Sequence, residues 1–331
     1  MFGGRFTRVL AATFVLAAAC SSNDSSGGAD PDTAPDEAAD VAPLRVLTLN
    51  LLHGFFCPEA TDSCRAPERA QIFAEQVEAA GCPDLVGLQE IGTRLAELLP
   101  GIVETLCDGD YEMAWAASDK VEQQMVLSRR PIIEEGHIEL AHFPWEAYWV
   151  RVVSEQGPVE FLTAHFASSA NNPPCTPDDG ECPPICAPGM ITNDCHAAQV
   201  VDFFAGRTNE STLSIASGDF NATPTSPTLR TLLEAGFTDA WLAAEQPECD
   251  PQTHVGCTGG GDEPEPFEGM DTQQGPGFDE RIDYVLVRPG PQCELGVDAE
   301  AFAAQPRAQP LNGMWWPSDH AGVLVELSCA S

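Results

Sequence analysis

Short apolar runs that stop abruptly at a polar side chain recur through this chain, and they constrain its fold more than any other feature. Residues 44–50, 84–90, 159–165, 212–219, 281–287 and 321–327 each have the length and the Val, Leu and Ile content of a buried strand. The most telling exit is Ser217-Gly218-Asp219-Phe220-Asn221-Ala222-Thr223-Pro224, which follows Leu213-Ser214-Ile215-Ala216. If the extended backbone persists, Asp219 and Asn221, two residues apart, share a face. The first is a carboxylate that can orient or deprotonate water. The second is an amide that can donate to a developing negative charge. Pro224 and Pro227 then stop the segment. The structural alternative is an Asx-type turn that merely closes the strand.

Charge narrows the function. With 51 acidic and 15 basic residues the formal net charge is -36, which argues against a broad electrostatic grip on nucleic acid or anionic lipid. It leaves phosphodiester cleavage open, because a bound divalent cation reverses the local field. The 331 residues and 43% hydrophobic content suffice for a large core.

The thirteen cysteines are an odd number, and the N-terminus accounts for it. Arg5 and Arg8 precede an apolar stretch over residues 9–19, too short to span a bilayer as a mature helix. Leu16-Ala17-Ala18-Ala19-Cys20 resembles a bacterial lipoprotein signal, with Ala17 a looser match than usual; the alternative is an ordinary signal peptide cleaved nearby. The resemblance implies residues 1–20 as signal and lipidation site, with membrane attachment through Cys20. The chain would be exported as an outer-membrane or cell-surface lipoprotein, or else be periplasmic or secreted. Twelve cysteines then remain for up to six disulfides in an oxidising compartment. Residues 21–43, rich in Ser, Gly, Asp, Ala and Pro, read as a disordered acidic tether, and residues 44–331 as one catalytic domain.

Within that domain, residues 66–80, 93–99, 195–206 and 227–235 read as helices. Residues 111–117, 124–128, 132–140 and 148–154 join the strands above, and such a succession suggests antiparallel pairing. Residues 55–67, 170–194 and 246–278 fit neither pattern and read as long loops stapled by disulfides. Cys57 with Cys64 and Cys249 with Cys257 are plausible local pairs; zinc is the functional alternative for the cysteines between Cys175 and Cys195.

The polar residues at the strand ends, in order, are Asn50, Glu90, His165, Asp219, Asn221, Asp283, Asp319 and His320. Each alone has an ordinary reading: Asn50 as a turn cap, Glu90 as a helix-start acid, Asp283 as a partner for Arg281. Gathered at one edge of an α/β sandwich they would form a cleft of carboxylates, amides and histidines. Glu90 and Asp319 with an oxygen of Asn50 suit a hard cation such as Mg2+. The histidines suit a phosphoryl oxygen. His53 lies close to Asn50 in sequence, His196 reads as structural, and Arg129 and Arg130 as packing in a turn.

These segments resemble the endonuclease/exonuclease/phosphatase superfamily, which includes deoxyribonuclease I-like nucleases and neutral sphingomyelinases. The resemblance rests on Thr48-Leu49-Asn50, Leu88-Gln89-Glu90, Leu127-Ser128-Arg129-Arg130-Pro131-Ile132, Thr163-Ala164-His165-Phe166, Gly218-Asp219-Phe220-Asn221, Arg281-Ile282-Asp283-Tyr284-Val285 and Ser318-Asp319-His320, in the family's order. It implies a four-layer α/β sandwich, two mixed sheets face to face with helices outside. It also implies roles. Asn50, Glu90 and Asp319 would hold Mg2+, with Mn2+ or Ca2+ as substitutes. Asp219 would activate water, Asn221 would bond the phosphoryl group, and Asp283 would fix His320. His320 and His165 would bind or protonate the phosphate.

The implied substrate is a phosphate ester in nucleic acid or phospholipid, with no obligate protein partner. An extracellular endonuclease is the first expectation. A sphingomyelinase-like lipid phosphodiesterase is the second, prompted by Phe55-Phe56 and Trp315-Trp316, which could dip into a lipid interface, stack on bases, or pack as core. A non-catalytic surface binding protein on the same fold is the alternative from another class.

Overall fold

Alternation along the strands decides which side chain faces which layer. In β1 (Leu44–Asn50), Leu44 and Val46 join one apolar cluster while Leu47 and Leu49 join another. The even-numbered side chains face a second sheet and the odd-numbered ones face helices. The same split holds in β8 (Leu213–Asp219), where Leu213 and Ile215 point between the sheets and Ala216 points outward.

In this computed structural model the described residues are 41–54, 57, 62–116, 122–142, 144–176, 180–207, 211–259 and 269–330. The segment expected to carry the export signal and Cys20, the expected tether up to residue 40, and Phe55-Phe56 lie outside them. Residues 41–331 group as one compact unit.

The remaining strands are β2 (Leu85–Gly92), β3 (Glu112–Trp115), β4 (Glu122–Ser128), β5 (Ile132–Glu139), β6 (Glu146–Ser154), β7 (Gly157–His165), β9 (Thr238–Asp239), β10 (Asp283–Pro289), β11 (Glu294–Phe302) and β12 (Gly322–Ala330). They form two six-stranded sheets, ordered β11-β12-β1-β2-β4-β3 and β5-β6-β7-β8-β10-β9. Both are mixed: β1 runs parallel to β2 and β7 parallel to β8, and the other pairs are antiparallel.

Helices α1 (Asp62–Ala79) and α2 (Thr93–Val103) cover the first sheet through Phe73, Val77, Leu95 and Leu99. Helices α3 (Thr192–Ala205) and α4 (Pro227–Glu234) cover the second through Val200, Phe204, Leu229 and Leu232. The Ser226 hydroxyl caps α4 by accepting the Leu229 N–H at 3.1 Å, with Pro227 in the first turn. This is the four-layer α/β sandwich expected from the sequence. Strand β11 and the short β9 and α5 (Ala240–Ala243) were not foreseen. β11 is a half-exposed edge strand with acidic residues on its outer positions, so it lacks an apolar run.

All twelve cysteines from Cys57 onward are paired. Cys57 bonds Cys64 and Cys249 bonds Cys257, as expected; the other bonds are Cys82 to Cys107, Cys175 to Cys182, Cys186 to Cys195 and Cys293 to Cys329. The zinc alternative is thereby overturned, because four sulfurs committed to two disulfides offer no thiolate.

Candidate active site

The inward-facing positions of five strands end at one edge of the gap between the sheets. On β7, Val159 and Phe161 fill the gap and Thr163 and His165 continue that face. On β8, Ser217 and Asp219 do the same. On β10, Asp283 shares its face with Val285 and Val287 and lies opposite Asp219 in the antiparallel register. The strands β10 and β12 present their starts, not their ends, at this edge, since each runs antiparallel to a neighbour that ends there. Asp283, at the first position of β10, and Asp319 and His320, just before β12, therefore meet Asn50 and Asp219 at this edge.

Gly218 makes the tight approach of β8 to β7 possible. Its φ is 135°, and a Cβ there would lie 1.9 Å from the Ala164 carbonyl oxygen.

Glu90 breaks the alternation. Counting from Leu85, it belongs to the helix face with Val86 and Leu88. A β-bulge between Leu88 and Ile91, with φ of 57° at Glu90, turns the carboxylate into the gap instead. There its Oε1 accepts from Asn50 Nδ2 at 2.9 Å and lies 3.6 Å from His165 Nε2. Its Oε2 accepts the His53 N–H at 3.0 Å and lies 3.5 Å from His53 Nε2. The second amide proton of Asn50 goes to Asp219 Oδ2 at 3.0 Å, so this side chain ties one sheet to the other. Just beneath, Gln89 Nε2 reaches Thr48 at 3.0 Å and Thr163 at 2.6 Å, a second polar bridge across the gap.

Asp219 Oδ2 also lies 3.6 Å from His165 Nε2 and 3.8 Å from His320 Nε2. His320 Nδ1 is 2.9 Å from Asp283 Oδ2, which assigns the proton on Nδ1 and leaves Nε2 toward Asp219. Arg281 does not pair with Asp283: its guanidinium binds Glu248 on two nitrogens, at 2.9 and 2.8 Å, and Asp239 at 2.8 Å. The Ser318 hydroxyl donates to the Asn50 carbonyl at 2.6 Å, accepts the His320 N–H at 3.1 Å, and lies 3.2 Å from Asp319 Oδ1. Trp145 sets its ring edge-on to His165 at 5.0 Å.

Asn221 departs from the extended continuation. β8 ends at Asp219, and Asn221 has φ of 46°. Its N–H closes an Asx-type turn onto Asp219 Oδ1 at 2.8 Å, and its Nδ2 donates to the Phe166 carbonyl at 2.9 Å. The turn fixes one oxygen of Asp219 and leaves the other facing the histidines.

Burial raises the charge stakes. It pushes the Asp219 carboxyl up to about 6, with Asp283 adding to it and His320 and His165 pulling back. Burial also works against ionised Glu90, but His165, His53 and the Asn50 amide outweigh it and hold that carboxyl at about 2. Asp319 is raised by burial and by Glu90, against His320 and Arg69. Burial disfavours a charged His320, yet Asp283 and Asp219 lift its imidazole well above the ordinary range.

Among the described residues no arginine is ion-paired with Glu90, Asp219 or Asp319, and Asp283 Oδ1 is buried without a hydrogen-bond partner. A surplus of buried carboxylate oxygen, with Glu90, His165 and Asp219 offering ligand atoms within 4.8 Å of one another, fits a divalent cation.

Trp315 and Trp316 follow the core-packing reading to different degrees. Trp316 is buried: its indole N–H donates to Thr272 O at 2.9 Å and its ring meets Phe278 edge-on, so it is core beneath the loop held by Cys249 and Cys257. Trp315 is partly buried against the same cluster. One contributor escaped the sequence reading. Arg69 is buried near the site, and its signal was a charge three and four residues before Ile72 and Phe73 on the apolar side of a helix.

A family model described as the endonuclease/exonuclease/phosphatase family matches residues 47–320. The chain belongs to this family of phosphoester hydrolases, whose members generally depend on divalent metal ions. Solved structures of the same fold include a humanised Danio rerio TDP2 (16% identity, TM-score 0.60, covering 86% of this chain and 99% of that one). Another is the D. rerio TDP2 complexed with single-strand DNA product (14%, 0.59, 86% and 99%). A third is the mannosyl-6-phosphatase of Bacteroides thetaiotaomicron (19%, 0.59, 86% and 99%). Among curated proteins, none matches by sequence.

Proposed function

We propose that this family member is a Mg2+-dependent phosphoesterase in which water attacks phosphorus in line with the departing ester oxygen. The observation that carries the reading is the meeting of Glu90, Asn50, His165, Asp219 and the Asp283–His320 pair at one edge of the gap. Glu90 and Asp319, with Asn50 beside them, would hold the ion, and Mn2+ or Ca2+ could fill the same oxygen set. Once bound, the cation would supply charge neutralisation at the phosphoryl oxygens and a more acidic water.

The chain's own groups do the rest. Asp219, with Oδ1 held by the Asn221 N–H, turns Oδ2 to orient the attacking water and accept its proton. Asp283 keeps the His320 proton on Nδ1 and stabilises the imidazolium, so that Nε2–H donates to a phosphoryl oxygen. His165, wedged against Trp145, supplies a second donor. The remaining amide proton of Asn221 is a third.

Electrostatics bears on the substrate, because the fold does not choose one. A polymer cutter needs cations along the phosphates that flank the scissile one. Arg45, Arg65, Arg94, Arg129, Arg130, Arg151, Arg207, Arg281 and Arg307 are each ion-paired with a carboxylate of this chain. Together with the net charge of -36, this favours a compact ester bringing one phosphate to the metal. Cleavage of nucleic acid is the second reading, supported by the product complex on the same fold. Trp316 in the core removes one of the four aromatic side chains that prompted the lipid reading. We place the enzyme outside the cytoplasm, anchored through Cys20, a setting the six disulfides suit.

The test incubates the full-length protein with Mg2+ or EDTA against 4-nitrophenyl phosphate, bis(4-nitrophenyl) phosphate and plasmid DNA, beside Asp219→Ala and His320→Ala. Metal-dependent release of nitrophenol, lost in both variants, supports the reading. Plasmid nicking at a rate well above the small esters would favour the second. No hydrolysis of any substrate at any metal concentration would sink both.

A further inference from the structure

One fully buried charge among the described residues lies outside the set of groups that meet the phosphate. Arg69 sits in α1, and its guanidinium is closed off from solvent. A guanidinium carries five N–H donors in a fixed fork. Here every contact goes to a backbone carbonyl. Nε donates to Cys64 O at 2.9 Å. One terminal nitrogen reaches Leu51 O and, at 3.3 Å, Pro317 O. The other reaches Leu52 O at 3.0 Å and Ser63 O at 3.2 Å.

Three segments meet on this one side chain. Leu51 and Leu52 directly follow Asn50, whose Oδ1 accepts the Leu52 N–H at 3.0 Å. Pro317 directly precedes Ser318, Asp319 and His320. Ser63 and Cys64 belong to the stretch closed by the bond between Cys57 and Cys64. Among the described residues no carboxylate forms an ion pair with Arg69. The acids that feel its charge are Asp319 and Glu90. A buried cation without a paired carboxylate is costly, so its position demands a return elsewhere.

We propose that Arg69 is the positioning residue of the active site: it ties the segment carrying Asn50 to the turn carrying Asp319 and His320, and so holds the cation-binding oxygens in register. This rests on the phosphoesterase reading above. A lysine cannot replace it, because three donors on a flexible stem do not span five carbonyls in three segments. Glutamine removes the charge and most of the donors.

The experiment titrates the full-length protein and its Arg69→Lys and Arg69→Gln variants with Mn2+, following free ion by electron paramagnetic resonance. It also measures kcat and KM for bis(4-nitrophenyl) phosphate, and records thermal unfolding of each. Wild type that binds no Mn2+ would defeat the metal reading itself. If wild type binds, the expectation is that both folded variants weaken Mn2+ by about tenfold or more. Their kcat should fall by about as much or more while KM moves little. Unchanged Mn2+ affinity in folded variants overturns the proposal. So does Arg69→Lys restoring both quantities, since charge alone would then suffice. Failure of both variants to fold at 25 °C also overturns it, by making Arg69 a folding determinant only.

Discussion

His196 should make this protein lose stability in mild acid, by an amount that follows from its hydrogen bonds. The ring is fully buried between the two segments that flank the active site. Its Nε2 lies 2.7 Å from the Ala141 carbonyl, so that nitrogen carries the proton. Its Nδ1 receives the Ala167 N–H at 3.4 Å, two residues beyond His165. A second proton on Nδ1 would face that N–H directly. Burial is the main force and lowers the imidazole from 6.5 to about 3, only partly offset by Ala141. Between those values the unfolded chain holds a proton that the folded chain does not. Stability therefore rises with pH across the window, is fully present above 6.5, and drains as pH falls. From pH 7 to pH 5 the loss from this one group is about 2 kcal/mol. Other acids titrate too, so the quantity to measure is a difference. Urea unfolding, with disulfides intact, would be run at pH 7 and pH 5 on wild type and His196→Gln. Glutamine keeps a donor for Ala141 and cannot charge. The variant should be less stable than wild type at pH 7, yet lose about 2 kcal/mol less on acidification. Equal losses in the two proteins would refute the argument.

Asp219→Asn should lower kcat by about 100-fold or more at unchanged fold, because the attacking water loses the carboxylate that accepts its proton; stopped assays and near-UV circular dichroism check it. Asp283→Asn should lower kcat by about 100-fold at unchanged fold, since the imidazolium of His320 loses its carboxylate; near-UV circular dichroism and the same assay decide it. EDTA should abolish hydrolysis and lower Tm, and excess Mg2+ should restore both; hydrolysis that survives chelation would contradict the metal site. Gly218→Ala should cost about 3–5 kcal/mol or prevent folding, because its Cβ would lie 1.9 Å from Ala164 O at φ of 135°; the unfolding midpoint in urea reads it.

Much of the layer structure was legible because the strands that build it are buried on both faces. Residues 44–50, 159–165 and 212–219 could be read nearly to the residue as β1, β7 and β8. β11 was not legible, since an edge strand with one wet face carries no apolar run. The disulfide partners of Cys82, Cys107, Cys293 and Cys329 were equally hidden: pairing over 25 and 36 residues is set by how the sheets stack, not by spacing.

The site shows where sequence reasoning stops for a sharper reason. Asn50, His165, Asp219 and Asp283 follow from alternation, because each continues an inward apolar face to the edge of the gap. Glu90 contradicts alternation, and Asn221 leaves the extended backbone on which alternation rests. Glu90 is aimed inward by a bulge, Asn221 is held against the Phe166 carbonyl by a tight turn, and both hold positive φ with a side chain attached. Strain of this kind costs about 1–3 kcal/mol per residue and persists only where the surroundings enforce it. What enforces it at Glu90 is the set of donors waiting in the gap: the Asn50 amide, the His53 N–H and the His165 imidazole. Those donors come from the segment around β1 and from the other sheet, so the local sequence of β2 cannot contain the reason for its own bulge. A carboxylate that left the gap would relieve the backbone but abandon these partners. The strained position is therefore the one that the folded layers select, and it is also the one that faces the cleft.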